Sequence, residues 1–124
     1  MSAVLAYLAA IIVVGWGIAH IMPTRSVVAG YGPLSQDNRL VLTMEWVAEG
    51  MTLIFLGLLT AVVTARGGSG NDVSITVYAI TAAMLVAMAV WTGATGARTS
   101  VVFFKICPVV KTIAAILLIA AIAL

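Results

Sequence analysis

The sequence predicts an all-α integral membrane protein, a bundle of four spanning helices running up-down-up-down, and three observations predict it. Hydrophobic residues fill 64% of the 124 positions and charged residues only 8%. Mean hydropathy is +1.23. A soluble domain is roughly 45–50% apolar and about 25% charged, and a chain this short has too little interior to hide the excess. The third observation is the grouping of apolar residues into four long stretches, about 2–22, 40–65, 73–94 and 101–124. Each is close to the roughly 20 residues with which a helix crosses about 30 Å of hydrocarbon. Lipid offers no partner to backbone groups, so stretches of this length are helices; a barrel would show many short alternating strands instead. Together they make one transmembrane domain, 1–124.

The first stretch has no basic residue before it and ends in His20-Ile21-Met22-Pro23, not in a small-residue cleavage site, so it reads as a spanning helix and not as a secretory signal. The connection that follows, Pro23 to Arg39, is long and polar. Within it Gly30-Tyr31-Gly32-Pro33 predicts an ordered turn, and Ser35 or Asp37 is placed to cap the second helix. Gly50 and Gly57 in that helix predict close packing against a neighbour. Arg66 to Asp72 is glycine-rich and predicts a flexible solvent turn. In the third helix Ala79, Ala83 and Ala87 recur at helical spacing, which predicts a second close-packing stripe. In the fourth, Pro108 either kinks the helix or opens it, the latter leaving Lys105 in the connecting loop.

Several function classes drop out. A lone cysteine, Cys107, excludes an internal disulfide framework and a four-thiolate metal site. A formal charge of +2 gives no basic surface for nucleic acid. No internal repeat marks an inverted-repeat transporter.

Antiparallel helices bring the end of the first, the start of the second, the end of the third and the start of the fourth to one membrane face. That face collects His20, Arg25, Asp37, Arg39, Glu45, Glu49, Arg98, Lys105 and Lys111, with Trp16, Tyr31, Trp46, Trp91 and Cys107 close by. The other face has Arg66, Asp72 and the termini. By the positive-inside rule the charged face lies in the cytoplasm of a plasma-membrane protein, although basic residues paired inside the bundle would not count toward orientation.

Glu45 and Glu49 are the most informative pair. Four residues apart, they share a helix face, and an ionised carboxylate turned to lipid would cost several kcal/mol. They are therefore expected to face inward, where two adjacent carboxylates repel and require either a shared proton or a nearby cation. Arg98, Lys105 and Lys111 are the cations available. The plainer alternative is that these groups snorkel to the interface as membrane-edge ion pairs. His20, one turn beyond Trp16, reads as an interfacial residue beside a belt tryptophan or as a proton carrier to the acids. With one histidine and no paired ligand spacing, a metal site of His20, Glu45 and Glu49 is disfavoured and no metal is expected. Cys107, with Lys105 and Lys111 on either side, reads as a thiol those lysines could activate or, as a lone buried thiol more often is, as inert packing. Trp91 shares a face with Met84, Met88 and Thr95, a composition that suits core packing or the wall of a pocket for a flat apolar ligand with a polar head, such as a quinone.

The segment Gly15-Trp16-Gly17-Ile18-Ala19-His20-Ile21-Met22-Pro23, followed after a polar connection by Glu45-Trp46-Val47-Ala48-Glu49-Gly50-Met51-Thr52-Leu53-Ile54-Phe55-Leu56-Gly57, resembles the first half of DoxX-like membrane proteins. The resemblance covers the first two helices; the second half agrees only in hydropathy, and the lysines of the fourth helix map onto no family pattern. It implies a four-helix bundle and an accessory or quinone-linked role in a membrane redox system. The expected function is thus a polar pocket at one end of a bundle, formed by Glu45, Glu49, Arg98, Lys105, Lys111, His20 and Trp91, which binds a small or lipid-like ligand. Two rivals remain: a structural subunit of a homo-oligomer or larger membrane complex, and a proton-coupled transporter. Small multidrug transporters share the size but carry their key acid in the first helix, which here has none.

Overall fold

The computed structural model describes all 124 residues. Its elements are α1 (Ser2–Ile21), α2 (Thr24–Ala29), α3 (Gln36–Gly67), α4 (Asp72–Ala94), a single 3-10 turn (Gly96–Arg98) and α5 (Val102–Ala123). Of 100 backbone hydrogen bonds, 85 lie inside helices, as an apolar solvent requires. The four long helices are all apolar and long enough to span a membrane, and the chain is a multi-pass membrane protein.

Around the bundle the order is α1, α3, α4, α5, so each helix packs beside its neighbours in sequence and α3 and α5 face each other across a diagonal. The shared core is built mostly of small and branched residues, Ala6, Ala9 and Val13 from α1, Leu53 and Leu56 from α3, Ala82 and Leu85 from α4, and Ala114, Ala115 and Leu118 from α5, with Tyr78 of α4 the one aromatic ring among them. Large apolar side chains such as Ile11, Phe55, Ile80 and Ile116 turn outward, the arrangement expected where lipid is as apolar as the core.

The α1/α3 seam is the tightest. A Cβ on Gly17 would lie 2.7 Å from the Gly50 carbonyl oxygen, and one on Gly57 would lie 2.8 Å from that of Ala10. Glycine at these places allows the two backbones to touch, as the spacing of Gly50 and Gly57 predicts. The alanine stripe of α4 behaves otherwise. Ala79, Ala83 and Ala87 are exposed, and the buried face carries Tyr78, Thr81, Ala82, Leu85 and Ala89. The periodicity was compatible with either face, and the larger residues won the interior because Tyr78 has a partner there: its hydroxyl lies 2.5 Å from Thr64 Oγ1. Ser74 adds a bond to the Val63 carbonyl, so α3 and α4 are fastened at the turn end.

Element ends differ from the sequence expectation where polar residues continue a helix past its apolar stretch. α3 begins at Gln36, with the Ser35 hydroxyl accepting from the Asn38 amide, and runs 32 residues, about 48 Å. That is longer than the roughly 30 Å of hydrocarbon a spanning helix has to cross, and the polar residues Gln36 to Arg39 form its first turn. The short α2 was not anticipated: six residues after Pro23 are too few to show a period. Pro108 lies inside α5, which starts at Val102, so Lys105 is helical.

Candidate functional site

The charged end is organised by how α1 stops. The last carbonyls of a helix have no partner within it, and here side chains supply them: the Trp46 indole donates to the His20 carbonyl at 2.7 Å, and the Thr24 hydroxyl donates to that of Ile21. These bonds tie the end of α1 to α3 and start α2, which folds back against α3.

Lys111 crosses the bundle from α5. Its Nζ donates to Glu49 Oε1 at 2.5 Å and to Thr92 Oγ1 at 2.9 Å, joining α5, α3 and α4. The lysine is 1% exposed, while the Glu49 side chain retains 32% exposure. An ammonium in this setting is tolerated only with a counter-charge and further acceptors, and Glu49 and Thr92 provide both. The second Glu49 oxygen faces His20 Nε2 at 3.7 Å.

Of the seven expected site residues, His20, Glu49 and Lys111 come together. Glu45 is exposed one turn outward on the same side of α3 and lines a cleft with Glu49. Trp91 stands exposed at the rim of that cleft. Arg98 and Lys105 stand apart: both are exposed, and neither makes a salt bridge to an acid. The cause is geometric. The 3-10 turn carries Arg98 out of the line of α4, and Lys105 and Lys111 are six residues apart on an unbroken helix, hence on different faces. Pairing both lysines with the acids required a break at Pro108 that does not occur. Glu45 and Glu49 likewise do not share one cation, since Lys111 serves Glu49 alone.

Cys107, read from sequence as packing, is in the cluster. It lies one turn before Lys111 on the buried face of α5, 2% exposed, and its sulfur accepts from the Trp16 indole at 3.3 Å. His20 is stacked on Trp46 with ring centroids 3.9 Å apart, and Trp16 stacks on Phe103 at 4.8 Å. Both ring nitrogens of His20 are buried without a hydrogen-bond partner. One ligand atom each from His20, Glu49 and Cys107 lies within 4.8 Å of the others. The signal for Cys107 in the sequence was its spacing of four to Lys111, which puts the two on one face.

Two spaces adjoin this cluster. A cleft of about 490 Å³ opens on the side of the bundle between α3 and α4, roofed by α2. Its walls are Val27, Val28, Tyr31, Leu42, Trp46, Ala48, Met84, Met88 and Trp91, and its polar groups are Glu45, Glu49, Thr52 and Thr92. Behind it a smaller cavity of about 170 Å³ is bounded by His20, Glu49 and Cys107 together with Trp46, Thr92, Thr95 and Phe104. Compared with protein families, with curated proteins and with solved structures, the chain finds no match.

Proposed function

We propose that the α3/α4 cleft binds a membrane-dissolved amphiphile with a flat, hydrogen-bonding head, of the quinone class, with a hydroxyl of its reduced, quinol form donating to the Glu49 carboxylate, the ring beside Trp46 and Thr92 and the apolar part along Leu42, Met84 and Met88. The observation that carries this reading is the Glu49 carboxylate: paired on one oxygen with a fully buried lysine, it still has a third of its surface open to the cleft. A few convergent polar groups at the inner end of an apolar cleft of this volume are what a small-ligand site requires. Methionines adapt to a flexible chain, and Trp91 offers a face for stacking. The DoxX-like resemblance of α1 and α3 agrees with this ligand class and with an accessory place in a redox system of the plasma membrane, its charged face in the cytoplasm.

The test is tryptophan quenching by a short-chain quinone analogue, with the metal-free protein in lipid nanodiscs. Saturable quenching is expected because Trp46 and Trp91 line the cleft. With the analogue in its reduced, quinol form Glu49→Gln should weaken quenching about tenfold, because the quinol hydroxyl then loses its charge-assisted bond to the carboxylate. Ala48→Phe, which fills the cleft from an exposed position, should abolish saturation. Quenching that rises linearly with quinone and is equal in wild type and Ala48→Phe would remove the proposal.

A second reading has its own observation. Ala79, Ala83 and Ala87 give α4 an outward small-residue stripe beside the cleft, suited to a partner helix in an oligomer or larger complex. Cross-linking of an Ala83→Cys, Cys107→Ser double variant in native membranes tests it: a specific cross-linked product supports the partner helix, and a monomer band alone rejects it.

A further inference from the structure

We propose that His20, Glu49 and Cys107 form a binding site for a borderline divalent cation of the zinc class, in the small cavity behind the cleft. The site shares Glu49 with the cleft, but neither His20 nor Cys107 lines the cleft, so the metal can be tested through those two residues with no amphiphile present.

Three observations converge. The donors are an imidazole nitrogen, a thiol sulfur and a carboxylate oxygen, the set that selects zinc over calcium or magnesium. They come from α1, α3 and α5, and their ligand atoms all lie within 4.8 Å of one another. Bond lengths of about 2.0 Å to nitrogen and oxygen and about 2.3 Å to sulfur put tetrahedral ligands roughly 3.3–3.6 Å apart. His20 Nε2 and Glu49 Oε2 already stand 3.7 Å apart, so the sulfur has to close by no more than roughly 1.5 Å. The third observation is His20 itself, 2% exposed with neither nitrogen bonded. A buried polar group without a partner is costly and calls for an explanation, and coordination would give a partner to one of the two nitrogens, Nε2, the one that faces Glu49.

The surroundings fit a ligand set held in place. Stacking on Trp46 fixes the imidazole plane. Lys111 holds one Glu49 oxygen and leaves the other toward the histidine, the outer-shell orientation that metal carboxylates commonly have. The Trp16 indole donates to the Cys107 sulfur, as N–H groups do toward metal-bound thiolates. Binding displaces the thiol proton to solvent. The ion, one thiolate and one carboxylate then sum to zero, and the Lys111 ammonium leaves one positive charge in a low-dielectric site. That charge favours an anion, hydroxide or the oxyanion of a bound ligand, in the fourth position, which faces the remaining space of the cavity. Three protein ligands and one open position are the plan of a reactive zinc site rather than a closed structural one.

Cobalt(II) titration of the purified, chelator-stripped full chain in detergent tests this. One cobalt per chain is expected, with the near-ultraviolet charge-transfer band of a cobalt–thiolate bond and the visible bands of tetrahedral cobalt, both erased by equimolar zinc. Cys107→Ser should remove the charge-transfer band, and His20→Asn should weaken binding more than tenfold; Lys105→Ala, on the outer face of the same helix, should match wild type. X-ray absorption of the zinc-loaded wild type, which needs no variant to fold, should show one sulfur at about 2.3 Å with nitrogen or oxygen at about 2.0 Å. Absence of sulfur from the zinc shell, or a cobalt–thiolate band of unchanged affinity in His20→Asn, would overturn the site. Quinone is absent throughout, so the outcome is independent of the cleft.

Discussion

Lys111 on α5 places its ammonium 2.5 Å from Glu49 on α3, across the diagonal of the bundle. The two ends of this pair are unequal, the lysine sealed and the acid partly open to the cleft. Removal of the acid strands a buried ammonium, and Glu49→Ala should cost about 3–5 kcal/mol. Lys111→Met, which leaves a carboxylate that solvent or headgroups can reach, should cost less. The double variant Glu49→Leu with Lys111→Met should recover most of the loss. Thermal unfolding of the four proteins in one detergent checks the order; equal losses for the two single variants would contradict the inequality.

Backbone contact between α1 and α3 makes glycine necessary at the crossing. Gly17→Ala brings a methyl group to 2.7 Å from the Gly50 carbonyl oxygen, and relief requires the helices to separate, at a cost of roughly 1–3 kcal/mol. Gly93→Ala on α4 meets nothing within 4 Å and should be neutral or slightly stabilising, because alanine is the better helix former. Melting temperatures of the two variants, measured side by side, separate the cases.

The bond between Tyr78 and Thr64 is also asymmetric. Thr64 already donates to the Thr60 carbonyl at 2.7 Å, which leaves Tyr78 as donor to the threonine oxygen. Tyr78→Phe deletes a bond and strands no donor, for a loss of about 1 kcal/mol. Thr64→Val strands a fully buried phenol and should cost more, about 1–3 kcal/mol. Unfolding midpoints in a denaturing detergent series give the comparison.

Trp91 should separate binding from stability. It is 72% exposed at the cleft rim, so Trp91→Ala should alter stability by no more than about 0.5 kcal/mol while weakening quinone-analogue affinity severalfold. A large drop in melting temperature would show that this ring supports the fold instead.

The sequence carried the fold because lipid imposes a simple rule, about twenty apolar residues per crossing, and the chain obeys it in four places. It carried the site only in part. The polarity of one end and the sharing of a face by Cys107 and Lys111 follow from helical spacing alone, whereas the spacing that puts Glu45 and Glu49 on one face predicts both inward, and only Glu49 reaches a cation while Glu45, one turn nearer the helix start, is exposed. The identity of the cation beside Glu49 did not follow either, because Arg98, Lys105 and Lys111 differ only in the rotation of their segments, and that rotation depends on whether Pro108 interrupts α5. Residue spacing along one helix also says nothing about residues brought together from three. His20, Glu49 and Cys107 come from α1, α3 and α5, and only the tight α1/α3 crossing and the diagonal reach of α5 make them neighbours.

The long α3 and the side opening of its cleft have a consequence for supply. From Glu45 to Thr52 the cleft spans about 10 Å along a helix long and apolar enough to cross a membrane, so its opening on the side of the bundle would face lipid. A hydrophobic guest would arrive by diffusion within one leaflet and never pass through water. Occupancy would then follow the guest's mole fraction in the bilayer, and affinities measured against total aqueous concentration would shift with the amount of lipid present.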